Sequence, residues 1–244
     1  MASLAGKVAV ITGSSRGIGR AIAQRLSRDG AAVVVNYTKN ADEAREVVAH
    51  IEEAGGQAAA DQADIGKVED VRRLFENAED RFGGVDIVVN NAGVSVFKPH
   101  AEVTEEEFDR VFDIVARGTF FALQEAAKRV REGGRIVNIS SGGTVTSGPG
   151  AGLYLGGKAA VEQFGMALAK ELGPRGVTVN NVLPGMTRTD GLIMPKEAIE
   201  QAVAMTPLGR LGEPEDVASV VAFLVGEDGH WMTGQNLRAG GGLV

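Results

Sequence analysis

The chain has 244 residues, a formal net charge of −7 at pH 7 and no cysteine. The absence of cysteine excludes disulfides, thiolate metal sites and cysteine nucleophiles, and it fits a reducing compartment, so a cytoplasmic location is expected. The acidic balance argues against nucleic acid as the main partner, because a phosphate-binding surface is normally basic.

Short β-branched runs alternate with longer helical patterns along the chain. The short runs predict strands at 7–12, 32–37, 57–62, 85–91, 134–140, 177–184 and 234–238. The longer patterns predict helices near 18–29, 40–54, 67–82, 104–131, 152–173 and 214–225. Nearly continuous apolar strands joined by helices are typical of a parallel sheet covered on both faces. We therefore expect an α/β, doubly wound sheet of about seven parallel strands, in one domain over residues 1–244.

Two segments depart from this alternation. Residues 186–213, which include Pro195 and Pro207, are interpreted as a lid over the carboxyl ends of the strands, where such sheets bind ligands. The uncharged stretch 136–157 is rich in Gly, Ser and Thr, which argues against a membrane helix. The apolar run near the N-terminus is short and predicts a strand rather than a signal peptide. No membrane association is expected.

The first predicted strand runs directly into TGSSRGIG (12–19), and a helix begins at once. Gly13, Gly17 and Gly19 follow the spacing G-x-x-x-G-x-G. Glycines at such a turn let a phosphate approach the backbone at a helix N-terminus, where unpaired N–H groups and the helix dipole favour anions. The place of this turn at the first strand–helix junction favours dinucleotide binding. The alternative is a helix entry that only needs a tight turn.

The end of the second strand bears on the choice of dinucleotide. An acidic residue there would bind the ribose hydroxyls of NAD and repel a 2′-phosphate. This chain has Asn36, Tyr37, Thr38 and Lys39 instead, and Arg16 points from the glycine turn toward the same region. The sequence therefore favours NADP(H) over NAD(H). The alternative is that Arg16 and Lys39 are solvated surface charges.

Tyr154 and Lys158 are four residues apart in a predicted helix and share one of its faces. A phenol has a pKa of about 10, and a nearby ammonium would lower that pKa and bring the tyrosine into range as a general acid or base. Ser141 follows the fifth strand, and the glycine-rich loop after it can bring its hydroxyl beside the phenol. A Tyr-x-x-x-Lys pair is common by itself, so the alternative is a structural tyrosine with a solvated lysine.

Five motifs occur in order and at matching spacing: TGSSRGIG (12–19), NNAG (90–93), Ser141, YLGGK (154–158) and the PG of LPGMTRT (183–189). Over nearly its whole length the chain resembles the short-chain dehydrogenase/reductase family. It is most similar there to oxoacyl-carrier-protein reductases and to related ketone reductases and sugar dehydrogenases. The resemblance implies a Rossmann-like fold, hydride transfer between a nicotinamide and a carbonyl or alcohol, and assembly as a homotetramer.

The resemblance also implies roles for individual residues. Tyr154 would pass a proton to the carbonyl oxygen, Ser141 would hold and polarise that oxygen, and Lys158 would bind the nicotinamide ribose and lower the tyrosine pKa. Together with the glycine turn and the end of strand two, the expected cofactor-binding residues are Gly13, Ser15, Arg16, Gly17, Ile18, Gly19, Asn36, Thr38, Asp64, Ile65, Asn91, Ala92, Gly93, Tyr154, Lys158, Pro184, Gly185, Thr187 and Thr189. No metal site is expected, and the three histidines are interpreted as surface residues.

One position departs from the family pattern. The family usually has an asparagine 24 residues after Asn91, and there this chain has Val115. The family asparagine helps to hold a water that links the catalytic lysine to solvent. Either a backbone carbonyl still holds that water in this chain, or the proton relay is weakened.

The sequence therefore predicts an NADP(H)-dependent carbonyl reductase or alcohol dehydrogenase that acts on a small-molecule ketone or secondary alcohol. The pocket is expected at Ser95, Val96, the loop 142–153 and the lid, whose apolar residues are Met186, Leu192, Ile193 and Met194. An apolar lid mildly favours a hydrophobic substrate over a sugar. Trp231 and the tail 234–244 are interpreted as subunit-packing surfaces.

Two alternatives remain at this point. The first is a 3-oxoacyl-carrier-protein reductase that docks its partner through basic residues, for which Lys128, Arg129 and Arg175 are candidates. Solvated charges at helix ends are the simpler interpretation of those three residues. The second alternative is a catalytically weak nucleotide-sensing or scaffold protein, and Val115 is the one feature that supports it.

Overall fold

One parallel sheet organises the molecule. A computed structural model describes residues 4–192 and 195–244. Its strands are β1 Val8–Ile11, β2 Ala32–Tyr37, β3 Gln57–Gln62, β4 Val85–Asn90, β5 Val130–Ile139, β6 Thr178–Pro184 and β7 Asn236–Ala239. They form a seven-stranded sheet in the order β3-β2-β1-β4-β5-β6-β7, and each neighbouring pair is parallel. The predicted doubly wound α/β fold is confirmed.

Helices cover both faces of this sheet. They are α1 Gly17–Arg28, α2 Ala41–Glu53, α3 Val68–Phe82, α4 Glu105–Phe112, α5 Gly118–Arg129, α6 Gly143–Thr146, α7 Gly152–Leu172, α8 Lys196–Met205 and α9 Pro214–Val225. One core cluster contains side chains of α1, α2 and α9, such as Ile22, Ile51 and Leu224. A second contains side chains of α3, α5 and α7, such as Phe75 and Leu172. Because both faces are covered, β1 is buried at all four positions and reads as an uninterrupted apolar run.

The predicted helix over 104–131 is interrupted. Helix α4 begins with the capping box of Thr104 and Glu107, and a π-helical turn, Asp113–Arg117, separates it from α5. A π-helical turn places one extra residue in the helix, a feature that apolar periodicity does not register. Val115 lies within this turn and is fully buried.

The predicted lid contains a helix that the sequence pattern did not indicate. Helix α8 lies inside 186–213, and a β-bridge between Thr187 and Gly212 closes the segment at its base. Ile193 and Met194, expected on the apolar side of the lid, lie outside the described residues. In the ranges that the structure covers, every helix is too short or too polar to cross a bilayer.

Two adjacent glycines at the start of α7 differ in their surroundings. Gly157 is buried, and a Cβ added to it would lie 3.2 Å from Val115 Cγ1. Gly156 is exposed, and its nearest neighbour would be Phe112 Cζ at 3.9 Å. Further along α7, a Cβ at Gly165 would lie 2.6 Å from Asn181 Oδ1 and 2.7 Å from Asn138 Nδ2. The helix therefore lies directly on polar side chains of the sheet.

We expect Gly165→Ala to lower the free energy of unfolding by roughly 1–3 kcal/mol, because the added methyl forces α7 away from the sheet. Gly156→Ala, nine residues earlier in the same helix, is the control. That variant should be stabilised by roughly 0.5–1 kcal/mol, because the methyl meets open space and alanine favours the helix. Urea unfolding of the two variants measures the difference, and equal stabilities would contradict this packing.

Candidate active site

The predicted site residues converge at the carboxyl edge of the sheet. The strand order reverses between β1 and β4, and the loops after these two strands diverge there, which creates the crevice where doubly wound sheets bind ligands. The loops after β5 and β6 border the same edge, and the N–H of Gly142 donates to the carbonyl of Pro184 at 2.8 Å.

The glycine turn leaves the start of α1 open. Gly13 and Gly17 have φ angles of 61° and 55°, in the left-handed region that favours glycine. A Cβ at Gly19 would lie 2.6 Å from Asn91 Nδ2, so α1 can approach the β4 loop only with glycine there. No side chain caps the first turn of α1, and that turn carries no acidic residue. Its N–H groups are therefore available to an anion such as a pyrophosphate.

Thr12 and Asn91 hold the loops after β1 and β4 together. Asn91 Nδ2 donates to the carbonyls of Thr12 and Gly13 at 3.0 and 2.9 Å. The Thr12 hydroxyl in turn accepts from the backbone N–H groups of Asn91 and Ala92, each at 3.0 Å. Thr12 was not among the predicted site residues, although it directly precedes the glycine turn.

Asn36 contacts the glycine turn through its side chain. This side chain is buried, accepts from the Gly13 N–H at 3.0 Å and donates to the Ala63 carbonyl at 3.1 Å. These bonds engage its amide within the fold, so the residue supports the glycine turn. Thr38 bonds weakly to the Ala63 carbonyl at 3.4 Å, and Asp64 accepts from the Gly66 N–H at 3.0 Å.

The basic residues expected near a 2′-phosphate are exposed. Within the described chain, the side chains of Arg16 and Lys39 have no hydrogen-bond or ion-pair partner. The Ser15 hydroxyl, by contrast, lies 3.5 Å from a carboxylate oxygen of Glu43, in the first turn of α2. Glu43 was not among the predicted site residues, because it lies six residues beyond the end of β2.

The remaining predicted cofactor residues divide between the edge and the interior. A Cβ at Gly17 would lie 3.4 Å from the Thr189 methyl, so the loop after β6 reaches the glycine turn. The Thr187 hydroxyl donates to the carbonyl of Gly185 at 3.0 Å and is turned into its own loop. Ile65 is buried in the core cluster that contains side chains of α3, α5 and α7, whereas the partly buried Ile18 packs against the cluster of α1, α2 and α9.

Tyr154, Lys158 and Ser141 come together as predicted. Lys158 Nζ lies 5.9 Å from the Tyr154 ring centroid and donates to the Ile139 carbonyl at 2.6 Å. A Cβ at Gly93 would lie 3.5 Å from Lys158 Nζ, so glycine keeps the approach to this amine open. Ser141 Oγ accepts from the Gly143 N–H at 3.2 Å, which leaves the hydroxyl proton free to donate.

Burial dominates the pKa of the two titratable groups. Burial raises the pKa of the Tyr154 phenol, and the hydrogen bond with Ser141 opposes this only in part. Burial also lowers the pKa of Lys158 to about 8, against the opposing charge of Glu162. The expectation that Lys158 lowers the tyrosine pKa is therefore wrong for this structure, since the ammonium lies over the ring and bonds to a backbone carbonyl instead.

Phe97 forms an aromatic rim beside Tyr154. The two rings meet edge to face with centroids 5.6 Å apart, and Phe97 is 64% exposed. Its loop is fixed by the Lys98 N–H, which donates to the Gly150 carbonyl at 2.8 Å, and by the ion pair of Lys98 with Glu107. The sequence analysis named the neighbouring Ser95 and Val96 but not this ring.

The C-terminal tail contacts the lid and the loop after β5. The N–H of Leu208, whose side chain is 70% exposed, donates to the carbonyl of Gly241. Val244 packs on Gly142, which is adjacent to Ser141. The tail therefore places an apolar side chain next to Ser141.

The described residues contain no cluster of three or more His, Cys, Asp or Glu that could hold a metal ion. His50, His100 and His230 are all exposed, which confirms their interpretation as surface residues.

Comparisons with known proteins find relatives over nearly the whole chain. The sequence model of a family described as Enoyl-(Acyl carrier protein) reductase matches residues 13–244. A hydroxynaphthalene reductase-like protein of Metarhizium majus is 47% identical over 257 residues, covering 99% of this chain and 96% of that protein. A short chain dehydrogenase from Burkholderia cenocepacia, solved in complex with NADP, is 40% identical with a TM-score of 0.95 and 98% of each chain covered. The angucycline C-6 ketoreductase LanV, solved with bound NADP, is 42% identical with a TM-score of 0.95, covering 99% of this chain and 97% of that chain.

The buried lysine makes stability depend on pH. The pKa of Lys158 is about 8 in the folded protein against 10.5 ordinarily, so between these pH values the unfolded chain binds more protons. The free energy of unfolding should therefore rise across this interval by roughly 3 kcal/mol relative to a Lys158→Met variant. Urea unfolding at pH 7 to 10 measures this. Lys170→Met, on the exposed side of α7, is the control and should keep the wild-type change of the free energy of unfolding with pH. The same change in Lys158→Met would contradict the prediction.

Proposed function

Because the chain belongs to the short-chain dehydrogenase/reductase family, we propose that it is an NADP(H)-dependent oxidoreductase that reduces a ketone to a secondary alcohol. One observation carries this proposal. The phenol of Tyr154 lies within hydrogen-bonding range of Ser141 and one helical turn from Lys158, at the edge where the open start of α1 can hold a dinucleotide. We propose that the other residues predicted to bind the cofactor do so as the family resemblance implies. Asn36 would act indirectly, by holding the Gly13 N–H of the glycine turn.

The described side chains account for the acid–base half of such a reaction. A bound nicotinamide cofactor supplies the hydride that the carbonyl carbon receives. The Ser141 hydroxyl, whose oxygen already accepts from Gly143, donates to the carbonyl oxygen and stabilises its developing negative charge. Tyr154 then transfers its phenolic proton to that oxygen, so the carbonyl becomes a hydroxyl. The proton lost by Tyr154 is restored from solvent.

The raised pKa of Tyr154 keeps the phenol protonated at neutral pH, which is the form that a proton donor to the carbonyl oxygen needs.

The exposed and unpaired Arg16 supports NADP(H) as the cofactor. A guanidinium beside the glycine turn suits a 2′-phosphate, and Lys39 at the end of β2 adds a second cation. The solved Burkholderia cenocepacia and LanV structures, both similar over nearly the whole chain, contain NADP.

The apolar rim supports a hydrophobic, aromatic ketone as the substrate. Phe97 presents an exposed ring beside Tyr154, and such a ring can stack on a flat aromatic compound. Two similar proteins, a hydroxynaphthalene reductase-like protein and an angucycline ketoreductase, have names that refer to aromatic compounds. We propose that the lid 186–213 closes over such a substrate.

A carrier-protein-linked substrate is less well supported. The candidate docking cations already have partners within the chain. Arg129 pairs with Glu79 and Glu125, Lys128 also pairs with Glu125, and Arg175 pairs with Glu132. A scaffold without turnover is also disfavoured, because the three reacting side chains are all in place.

We propose a homotetramer for the active protein. Large aromatic side chains lie exposed away from the rim, with Trp231 at 91% and Phe120 and Phe108 each at 45% exposure. Exposed apolar groups of this size favour association with other subunits. The cytoplasmic location stays a prediction that rests on the cysteine-free sequence.

Turnover of simple ketones tests the proposed reaction. Purified protein should consume NADPH with aromatic ketones, and Tyr154→Phe should lower kcat by roughly 100-fold or more, because the proton donor is lost while the ring remains. Circular dichroism should show an unchanged fold. Consumption of NADPH at the wild-type rate by Tyr154→Phe would reject the assignment of this residue.

The cofactor preference rests on Arg16. We expect Arg16→Ala to weaken NADPH binding by roughly tenfold to 100-fold, because a charged hydrogen bond to phosphate is lost, and to leave NADH binding nearly unchanged. Arg20→Ala, one turn further along α1 and also exposed, is the control and should change neither affinity. Fluorescence titration with both cofactors measures this, and an equal loss for both would contradict a phosphate-binding role.

A further inference from the structure

A row of asparagine side chains crosses four strands beneath α7. Asn90 in β4, Asn138 in β5, Asn181 in β6 and Asn236 in β7 are register partners across neighbouring strands. Because register partners point to the same face of a sheet, the four amides form one line, which we call the asparagine row. The first three are almost fully buried.

The hydrogen bonds of the asparagine row all run in one direction. Asn90 donates to Asn138 at 2.9 Å, Asn138 to Asn181 at 2.8 Å, and Asn181 to Asn236 at 2.7 Å. Asn138 and Asn181 therefore each accept on the β4 side and donate on the β7 side, whereas the buried Oδ1 of Asn90, at the start of the row, has no partner among the described residues. Aligned amide dipoles polarise one another in a low-dielectric interior, so the row presents its positive end at Asn236.

Glu162 lies at that positive end. Its Oε2 accepts from Asn236 Nδ2 at 2.9 Å, and its Oε1 accepts from the Ser140 hydroxyl at 2.5 Å. Asn181 also donates to the backbone carbonyl of Glu162 at 3.1 Å. The side chain is buried, and both of its oxygens accept, as those of an ionised carboxylate do. An unpaired carboxylate would be costly here, but this one is held by two donors.

Lys158 is one helical turn before Glu162 on the same face of α7. The groups that lie against the ammonium from other elements carry no charge: they are the Ile139 carbonyl of β5 and Gly93 after β4. Val115 of the π-helical turn, which packs on the neighbouring Gly157, is also uncharged. The titratable groups nearest to it on α7 are Tyr154 and Glu162. Glu162 is the charged group in the described structure that acts on Lys158 and favours its protonated form.

We infer that Glu162 is a positioning residue for the reaction. The asparagine row and Ser140 hold its carboxylate in place, and the charge of this carboxylate keeps the buried Lys158 protonated. Ser140 links Glu162 to the proposed catalytic residues, because its hydroxyl donates to Glu162 and it directly precedes Ser141 in the chain. The inference rests on the proposed role of Lys158, but the charge state of Lys158 can be measured without cofactor or substrate.

The test is an NMR titration of protein labelled with carbon-13 at the lysine ε carbons, with the Lys158 signal assigned by its loss in Lys158→Arg. In the wild type the signal should titrate near the lowered pKa of about 8. In Glu162→Gln, which keeps the size of the side chain and removes its charge, the midpoint should fall by about one pH unit or more. At pH 7.5 most of Lys158 would then be neutral.

Glu171→Gln is the matched control, because Glu171 is an exposed residue of the same helix. It should leave the Lys158 midpoint unchanged. The conservative variant Glu162→Asp keeps the charge and should stay closer to the wild type than Glu162→Gln. An unchanged midpoint in Glu162→Gln, or equal shifts in Glu162→Gln and Glu162→Asp, would overturn the inference, since a purely structural role does not distinguish charge from shape.

A double variant covers the case in which Glu162→Gln does not fold. If its defect is an uncompensated charge on Lys158, then adding Lys158→Met should restore folding as seen by circular dichroism. Failure of the double variant to fold, while Lys158→Met alone folds, would overturn the inference. Neither readout depends on ketone reduction, so absence of activity in the wild type would count against the proposed function and not against this coupling.

Discussion

Lys158 places a cationic side chain inside the protein, between α7 and the sheet, and much of the site is arranged around it. An isolated ammonium in a low-dielectric interior is expensive, with an effective cost of several kcal/mol even after relaxation. Here the amine bonds to the Ile139 carbonyl, and the carboxylate of Glu162 lies one turn away. The lowered pKa of Lys158 shows that this compensation is incomplete. A lysine held near the point of losing its proton can change protonation state within the physiological range.

The position of α7 follows from the same requirement. For Lys158 to reach the Ile139 carbonyl, the helix axis has to lie close to β5 and β6. Two glycines permit a close approach of α7, one to the π-helical turn and one to the sheet. Gly157 faces Val115, and Gly165 rests on the amides of Asn138 and Asn181. Each glycine costs roughly 1 kcal/mol in helix propensity relative to alanine. The loss is offset by contacts that only a close approach allows, which explains why a helix of the catalytic region contains residues that disfavour helices.

The sequence predicted the architecture and the proximity of Tyr154, Lys158 and Ser141, because both depend on local pattern. Apolar strand runs, the glycine turn and the Tyr–Lys spacing are visible in short windows, and the structure brings them together at one edge. What the sequence did not reveal depends on contacts between distant segments. Asn36 was predicted only as a cofactor-binding residue, and the bonds of its amide to Gly13 and Ala63 join segments that are far apart in the chain. The tyrosine pKa was expected to fall, but its direction depends on burial, which no spacing rule measures.

The packing around α7 explains why the chain has a valine at position 115. It belongs to an apolar cluster with Val111, Leu153 and Val161, and its methyl group packs on Gly157 beside Lys158. A polar side chain at this position would be buried among these groups and would need a partner that they do not provide. In this chain the polar contacts of Lys158 come instead from the opposite side, through the Ile139 carbonyl and the charge of Glu162. A valine in the π-helical turn is therefore compatible with the polar contacts of Lys158, because these contacts come from the sheet and from the next turn of α7.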